Sequence, residues 1–263
     1  MKMIDTLLDG LKEDAPVRKV LVGTFWTAVV LDTDPPRCGL SSTLRDEAHD
    51  GRPAVQEAGR LLTRTARSLA ELLRSGSLLE ASIGMAAHNA LLEVDPRPLV
   101  EANAEELLVQ RGSGRRVAIV GHFPFVRRVR QAAETCSVLE LRPQPGDLPA
   151  SMAAKVLPLA DVVAVTGTSL INRTFDGLMS MCRPKAFVLV LGPSTPLTAA
   201  LFEAGVDAIS GTIVDDPQQV LLAVAQGATF RQVKRGGGVR LLSWIAAGAD
   251  ASGSARALGK VGP

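Results

Sequence analysis

Between Arg116 and Val214 the chain repeats one device. A short apolar run, two to six residues long, is followed by a turn or loop, and a helix-like stretch leads to the next run. The runs sit in RVAIVGHFPFV, SVLELRP, DVVAVTGTS, AFVLVLGPSTPL and DAISGTIV. Runs this short and this apolar are strands covered on both faces, and helices between them are the crossovers that parallel strands require. The pattern predicts an α/β fold built on a doubly wound, Rossmann-like, mostly parallel sheet. It also predicts that the turns after these strands share one edge of the sheet, the carboxyl edge, where open α/β sheets bind ligands.

The first hundred residues read differently. Met3, Ile4, Leu7, Leu8 and Leu11 form a helical stripe opposite Asp and Lys. RKVLVGTFWTAVVL reads as two strands close together, and PPRCGLSSTL as a turn and a short third strand. A helix is expected over Pro53–Arg74, burying Leu61, Leu62, Leu69, Leu72 and Leu73, and another over residues 82–94. This is a small antiparallel sheet followed by helices, an α+β unit. The Gly- and Arg-rich segment QRGSGRR sets the expected boundary: 1–110 for the α+β unit, 111–245 for the Rossmann-like unit. The small-residue tail, 246–263, is expected to be disordered.

Composition narrows the partners. Lys plus Arg number 29 against 27 Asp plus Glu, so no basic footprint for nucleic acid is present. Tyrosine is absent and aromatics make up 3% of the chain, too few for base-stacking platforms. No apolar run approaches the ~20 residues of a membrane helix. The three cysteines, Cys38, Cys136 and Cys182, are far apart and odd in number, which fits a reducing, cytoplasmic setting. A two-fold dimer is expected from base rate alone.

Three strand ends share a chemistry: Gly121-His122-Phe123-Pro124, Thr166-Gly167-Thr168-Ser169 and Gly192-Pro193-Ser194-Thr195-Pro196, with Ser210-Gly211-Thr212 a weaker fourth. Glycine lets backbone approach a ligand, and hydroxyls either cap the next helix or point outward. One such turn is ordinary capping; three along one edge point to a pocket. The expected ligand-binding residues are Gly121, Thr166, Gly167, Thr168, Ser169, Asn172, Gly192, Pro193, Ser194 and Thr195. Helix N-termini aimed at one crevice favour a small anion. His122, directly after a buried strand, and Asp147, braced in QPGDLP, are the candidate acid/base pair, each set against a purely local turn role. His88 is expected at a surface or capping position, His49 in solvent, and Asp161 in a structural role. Gly121 opens no G-x-G-x-x-G and no P-loop lysine occurs, so no NAD or ATP fingerprint exists.

In order and wording these segments resemble the "putative heavy-metal chelation" family of prokaryotes. The resemblance runs from about Val117 to Phe230 through Gly121–Pro124, Pro145–Pro149, Asp161–Val163, Thr166–Asn172, Gly192–Leu197 and Ser210-Gly211. Trp26-Thr27 and Cys38-Gly39-Leu40 look like that family's partner domain, which has an enolase N-terminal-like fold. The resemblance implies that both domains join around one cleft, and that a divalent metal or a metal complex is the cargo. The residues themselves offer no C-x2-C or H-x3-H spacing, so folding would have to gather Cys38, His122, Cys182 and Asp147. Two readings stand: a binding protein for a small anionic ligand or metal complex, or an enzyme on a small anionic metabolite with His122 as acid/base and the Ser/Thr/Gly turns as cradle.

Overall fold

A computed structural model describes residues 2–46, 53–101 and 103–249. Helix α1 (Met3–Asp9) buries Met3, Ile4, Leu7 and Leu8, and its first N–H donates to the Asp176 carboxylate at 3.1 Å. Strands β1 (Val17–Val22), β2 (Trp26–Leu31) and β3 (Cys38–Ser42) form a three-stranded antiparallel sheet in that order. Helices α2 (Ala66–Ala70) and α3 (Leu78–Leu91) cover one face of it.

The unbroken apolar run of β2 has a physical reason. Val29 and Leu31 point into the cluster with α1, α2 and α3, while Ala28 and Val30 point to the other face. There they meet Val220, Val224 and Val233 of helices α10 (Pro217–Ala225) and α11 (Phe230–Arg235), from the far end of the chain. Each Val or Leu buried at such a seam contributes roughly 1.5–3 kcal/mol, so the two units share a core. Gly39 shows how tightly they are built. A Cβ there would lie 2.0 Å from the Ala86 carbonyl oxygen, so α3 rests directly on the β3 backbone.

The larger sheet adds β4 (Arg116–Val120), β5 (Thr135–Glu140), β6 (Leu148–Pro149), β7 (Val162–Thr166), β8 (Phe187–Leu191), β9 (Ala208–Val214) and β10 (Val239–Ile245). Their order is β10-β9-β8-β7-β4-β5-β6, all parallel except β10, which runs antiparallel to β9. Val117 and Ile119 of β4 face α4 (Ala104–Gly112) and α5 (Val126–Ala132); Ala118 faces the opposite layer. That layer holds α6 (Ala153–Val156), α7 (Thr168–Ile171), α8 (Phe175–Met181) and α9 (Ala200–Glu203). The fold is thus α/β, with a mostly parallel seven-stranded sheet beside a small antiparallel one.

Several expectations change. Residues 53–74 do not make one helix: a 3-10 turn at Leu61–Thr63 precedes α2, whose N-cap is Thr65, and a second follows at Glu71–Arg74. Leu62 is accordingly 57% exposed. Ser210-Gly211-Thr212 is no turn but the middle of β9. Helix α4 runs into the Gly- and Arg-rich segment as far as Gly112 and packs on α5 and β7. Asp161 pins the opposite edge, accepting from the Arg116 backbone N–H and guanidinium and pairing with Arg183. Hydrogen bonds from Arg116, with the charges of Arg183 and Arg116, hold its carboxyl down at about 2. No described helix is long and apolar enough to cross a membrane. His49 and residues 250–263 lie outside the described residues.

Candidate functional site

A pocket of about 450 Å³ opens at the carboxyl ends of β4, β5 and β7, within the usual size range of small-ligand sites. Of the expected residues, Gly121, His122, Thr166, Thr168, Ser169 and Asn172 line it. Gly121 stands at φ +106°, and a Cβ there would come 3.1 Å from the Thr166 Cβ, so the β4 turn lies tight against β7. Only glycine meets both demands without strain.

His122 Nδ1 donates to the Asp147 carboxylate at 2.9 Å. The Asp147 side chain is shut off from solvent, and its other oxygen takes Arg130 at 3.3 Å. Burial by itself would raise this carboxyl. Hydrogen bonds from His122 and the Gln144 N–H, with the charges of His122 and Arg130, outweigh it and hold the group below its ordinary value. An ionised Asp147 fixes the imidazole tautomer with its proton on Nδ1, which leaves Nε2 as the ring atom open to a ligand.

The opposite wall carries hydroxyls. Thr166 and Thr168 share a hydrogen bond of 3.0 Å, and the Asn172 side-chain oxygen accepts from Thr174 at 2.7 Å. Ser169 is 1% exposed and its Oγ has no partner among the described residues. A buried hydroxyl left unpaired costs about 1–3 kcal/mol, so at this place in the pocket wall it is offered to whatever fills the cavity, water or ligand. Helices α5 and α7 are seven and four residues long, too short to supply the expected dipoles.

The third turn goes elsewhere. Ser194 and Thr195 are buried against the N-terminal unit: the Ser42 N–H donates to Ser194 Oγ at 2.8 Å, and the Asn89 amide donates to the Leu40 and Ser194 carbonyl oxygens. Gly167 faces this seam, since a Cβ on it would sit 2.4 Å from Thr195 Oγ1. Gly192 and Pro193 do not line the pocket either. The expected cleft between the two units is therefore filled at this point, because interlocking serines and Asn89 occupy it. His88 lies in the same buried region, fully enclosed rather than at the surface. A smaller hollow of about 220 Å³ between the units is lined by other residues, among them Leu11, Leu91, Leu197 and Trp244.

Sequence reading missed Glu140, Leu141 and Arg173, all in the pocket wall. Arg173 is the one non-glycine residue at positive φ (61°) among the described residues, a conformation that costs an L-residue roughly 1–2 kcal/mol. Its guanidinium has no partner among them. The signal available was Glu140 as the first charge after an apolar run.

No three of the His, Cys, Asp and Glu side chains cluster among the described residues. Burial pushes the Cys38 thiol up to about 12 and Cys182 up to about 11, so with no cation beside them both are protonated. Asp147 already uses both oxygens. The protein's own donors do not fit a closed chelate for a resident metal, and Cys38, His122, Cys182 and Asp147 are not gathered.

Strand order, crossovers and the pocket at the sheet's carboxyl edge define a Rossmann-like α/β protein preceded by a small α+β unit. Family models match residues 4–92 and 103–243, and both are described as "Putative heavy-metal chelation". The chain belongs to that family. It is similar to an uncharacterized protein of Methanocaldococcus jannaschii, 24% identical over 228 residues, 82% of this chain and 85% of the relative. A crystal structure of a family member from Desulfitobacterium hafniense DCB-2 superposes with a TM-score of 0.77 at 26% identity, covering 93% of this chain and 97% of that one. Another, from Pyrococcus horikoshii, gives 0.79 at 18%, covering 93% and 98%.

Proposed function

We propose that the protein captures a small anionic metabolite, free or as its metal complex, in the pocket at the ends of β4, β5 and β7. The observation that carries this reading is His122, held by Asp147 and lining a cavity whose wall holds the buried hydroxyl of Ser169, which has no partner among the described residues. Arg173 supplies the positive charge at the same wall. The family description supports a link to metals, while the scarcity of clustered donors supports a metal that enters with its ligand. Nε2 of His122 is the protein's open donor to such a complex.

Protein purified without a histidine tag, analysed by elemental and native mass spectrometry beside His122→Ala, tests this. The expected result is a metal or organic ligand near one per chain in the wild type, lost in the variant. The reading is overturned if neither copurifies and no anion among phosphate, citrate and malonate stabilises the wild type more than the variant.

The Asp147–His122 contact favours one second reading: an enzyme in which the imidazole, oriented through Nδ1, moves a proton at Nε2. Turnover of the captured metabolite, abolished by Asp147→Asn with binding retained, distinguishes it from simple capture.

A further inference from the structure

We infer that the pocket takes a nucleoside with a short anionic tail, its ribose hydroxyls held by the Glu140 carboxylate. This rests on reading the pocket as a ligand site and names the class of ligand.

The first observation is topological. From β4 the chain winds outward through β5 to β6, then returns to β7 on the other side of β4 and winds through β8 to β9. The winding reverses between β4 and β7, and the pocket lies at that reversal, where nucleotides sit in open α/β sheets because neighbouring loops part there. The second is chemical. Glu140 is the last residue of β5, the strand beside β4, nineteen residues after Gly121. A carboxylate at that place and distance accepts hydrogen bonds from ribose hydroxyls. Here one oxygen accepts the Leu141 N–H at 3.0 Å, no ion pair engages the group among the described residues, and the other oxygen is left for a diol. Leu141, 71% exposed, stands next to it on the pocket wall and offers an apolar face to a base.

The third observation limits the tail. After Gly121 come His122-Phe123-Pro124 rather than a second glycine, and α5 starts only at Val126. No tight glycine turn brings a helix against a diphosphate, which excludes a dinucleotide. Across the pocket, Arg173 and the buried Ser169 hydroxyl have no partner among the described residues. A single phosphate or an aminoacyl carboxylate on the 5′ side has the charge and hydrogen-bonding capacity for them.

Isothermal titration of the full chain tests this. The probes are the four ribonucleoside 5′-monophosphates, S-adenosyl-L-homocysteine, and the 2′-deoxy and 3′-deoxy counterparts of whichever binds. At least one ribonucleotide or the homocysteine adduct is expected to bind, and its deoxy forms at least tenfold more weakly. Which one binds decides between the phosphate and the carboxylate tail. Glu140→Gln, which keeps an acceptor for the Leu141 N–H, is expected to erase the ribose-over-deoxyribose preference. Arg173→Ala is expected to weaken the tailed ligand but not the bare nucleoside. The inference is overturned if no probe binds at millimolar concentration, or if binding ignores both the hydroxyls and Glu140. If phosphate or citrate still binds in a His122-dependent way, only the nucleoside class has failed; if no anion binds, the pocket reading has failed with it.

Discussion

Acidification tests the buried histidine. His88 sits on α3 with no exposed surface; Nε2–H donates to the Leu7 carbonyl at 3.2 Å, and Nδ1 is buried with no hydrogen bond of normal geometry among the described residues. Burial pushes its pKa down to about 4 from an ordinary 6.5, against the opposing pull of the Leu7 carbonyl and the Asn89 side chain. The unfolded chain therefore binds this proton from about pH 6.5 downward, while the folded chain resists until about pH 4. Stability from His88 is fully present above pH 6.5 and is lost as pH falls toward 4. Roughly 2.5 pH units at ~1.4 kcal/mol each set a limit of about 3 to 4 kcal/mol, most of which is gone by pH ~4.5. That is a sizeable share of the ~5–15 kcal/mol that holds a typical domain folded. The assay is urea unfolding of the wild type and His88→Gln at several values between about pH 7.5 and pH 4.5. The variant keeps a donor for Leu7 but does not titrate, and carboxylates common to both cancel in the difference. The wild-type advantage should shrink by about 2 to 3 kcal/mol on acidification. A change below about 0.5 kcal/mol, within the error of extrapolation, refutes the reasoning.

Two further substitutions test the N-terminal unit, one its internal packing and one its seam with the larger sheet. Gly39→Ala would drive a Cβ to 2.0 Å from the Ala86 oxygen and 2.3 Å from the Ala90 nitrogen, both helix backbone. Since α3 is also held where Gly84 meets Leu73, a loss of about 3 kcal/mol or more is expected by urea unfolding. Ser194→Ala strips the acceptor from the Ser42 N–H and should cost about 1–2 kcal/mol, while leaving affinity at the β4–β7 pocket unchanged. Altered affinity with unaltered stability would return Ser194 to the ligand site.

The sequence by itself determined the class of fold and the carboxyl edge. Strands covered on both faces must be apolar throughout, so VVAV and FVLVL could be read without coordinates, and so could the polar turns that end them. His122, Thr166, Thr168 and Ser169 were legible as one site for that reason. Strand β10 and helices α10 and α11 were not recognised: β10 joins the sheet as an antiparallel edge, and α10 and α11 bury valines against a sheet some two hundred residues earlier. Only tertiary structure decided which turns share a pocket. Composition cannot distinguish the serine that lines an open pocket from the serine that faces Ser42, because both are small hydroxyls after a strand. Their difference lies in what packs above them, and the N-terminal unit packs over Ser194 while leaving Ser169 beside an open cavity.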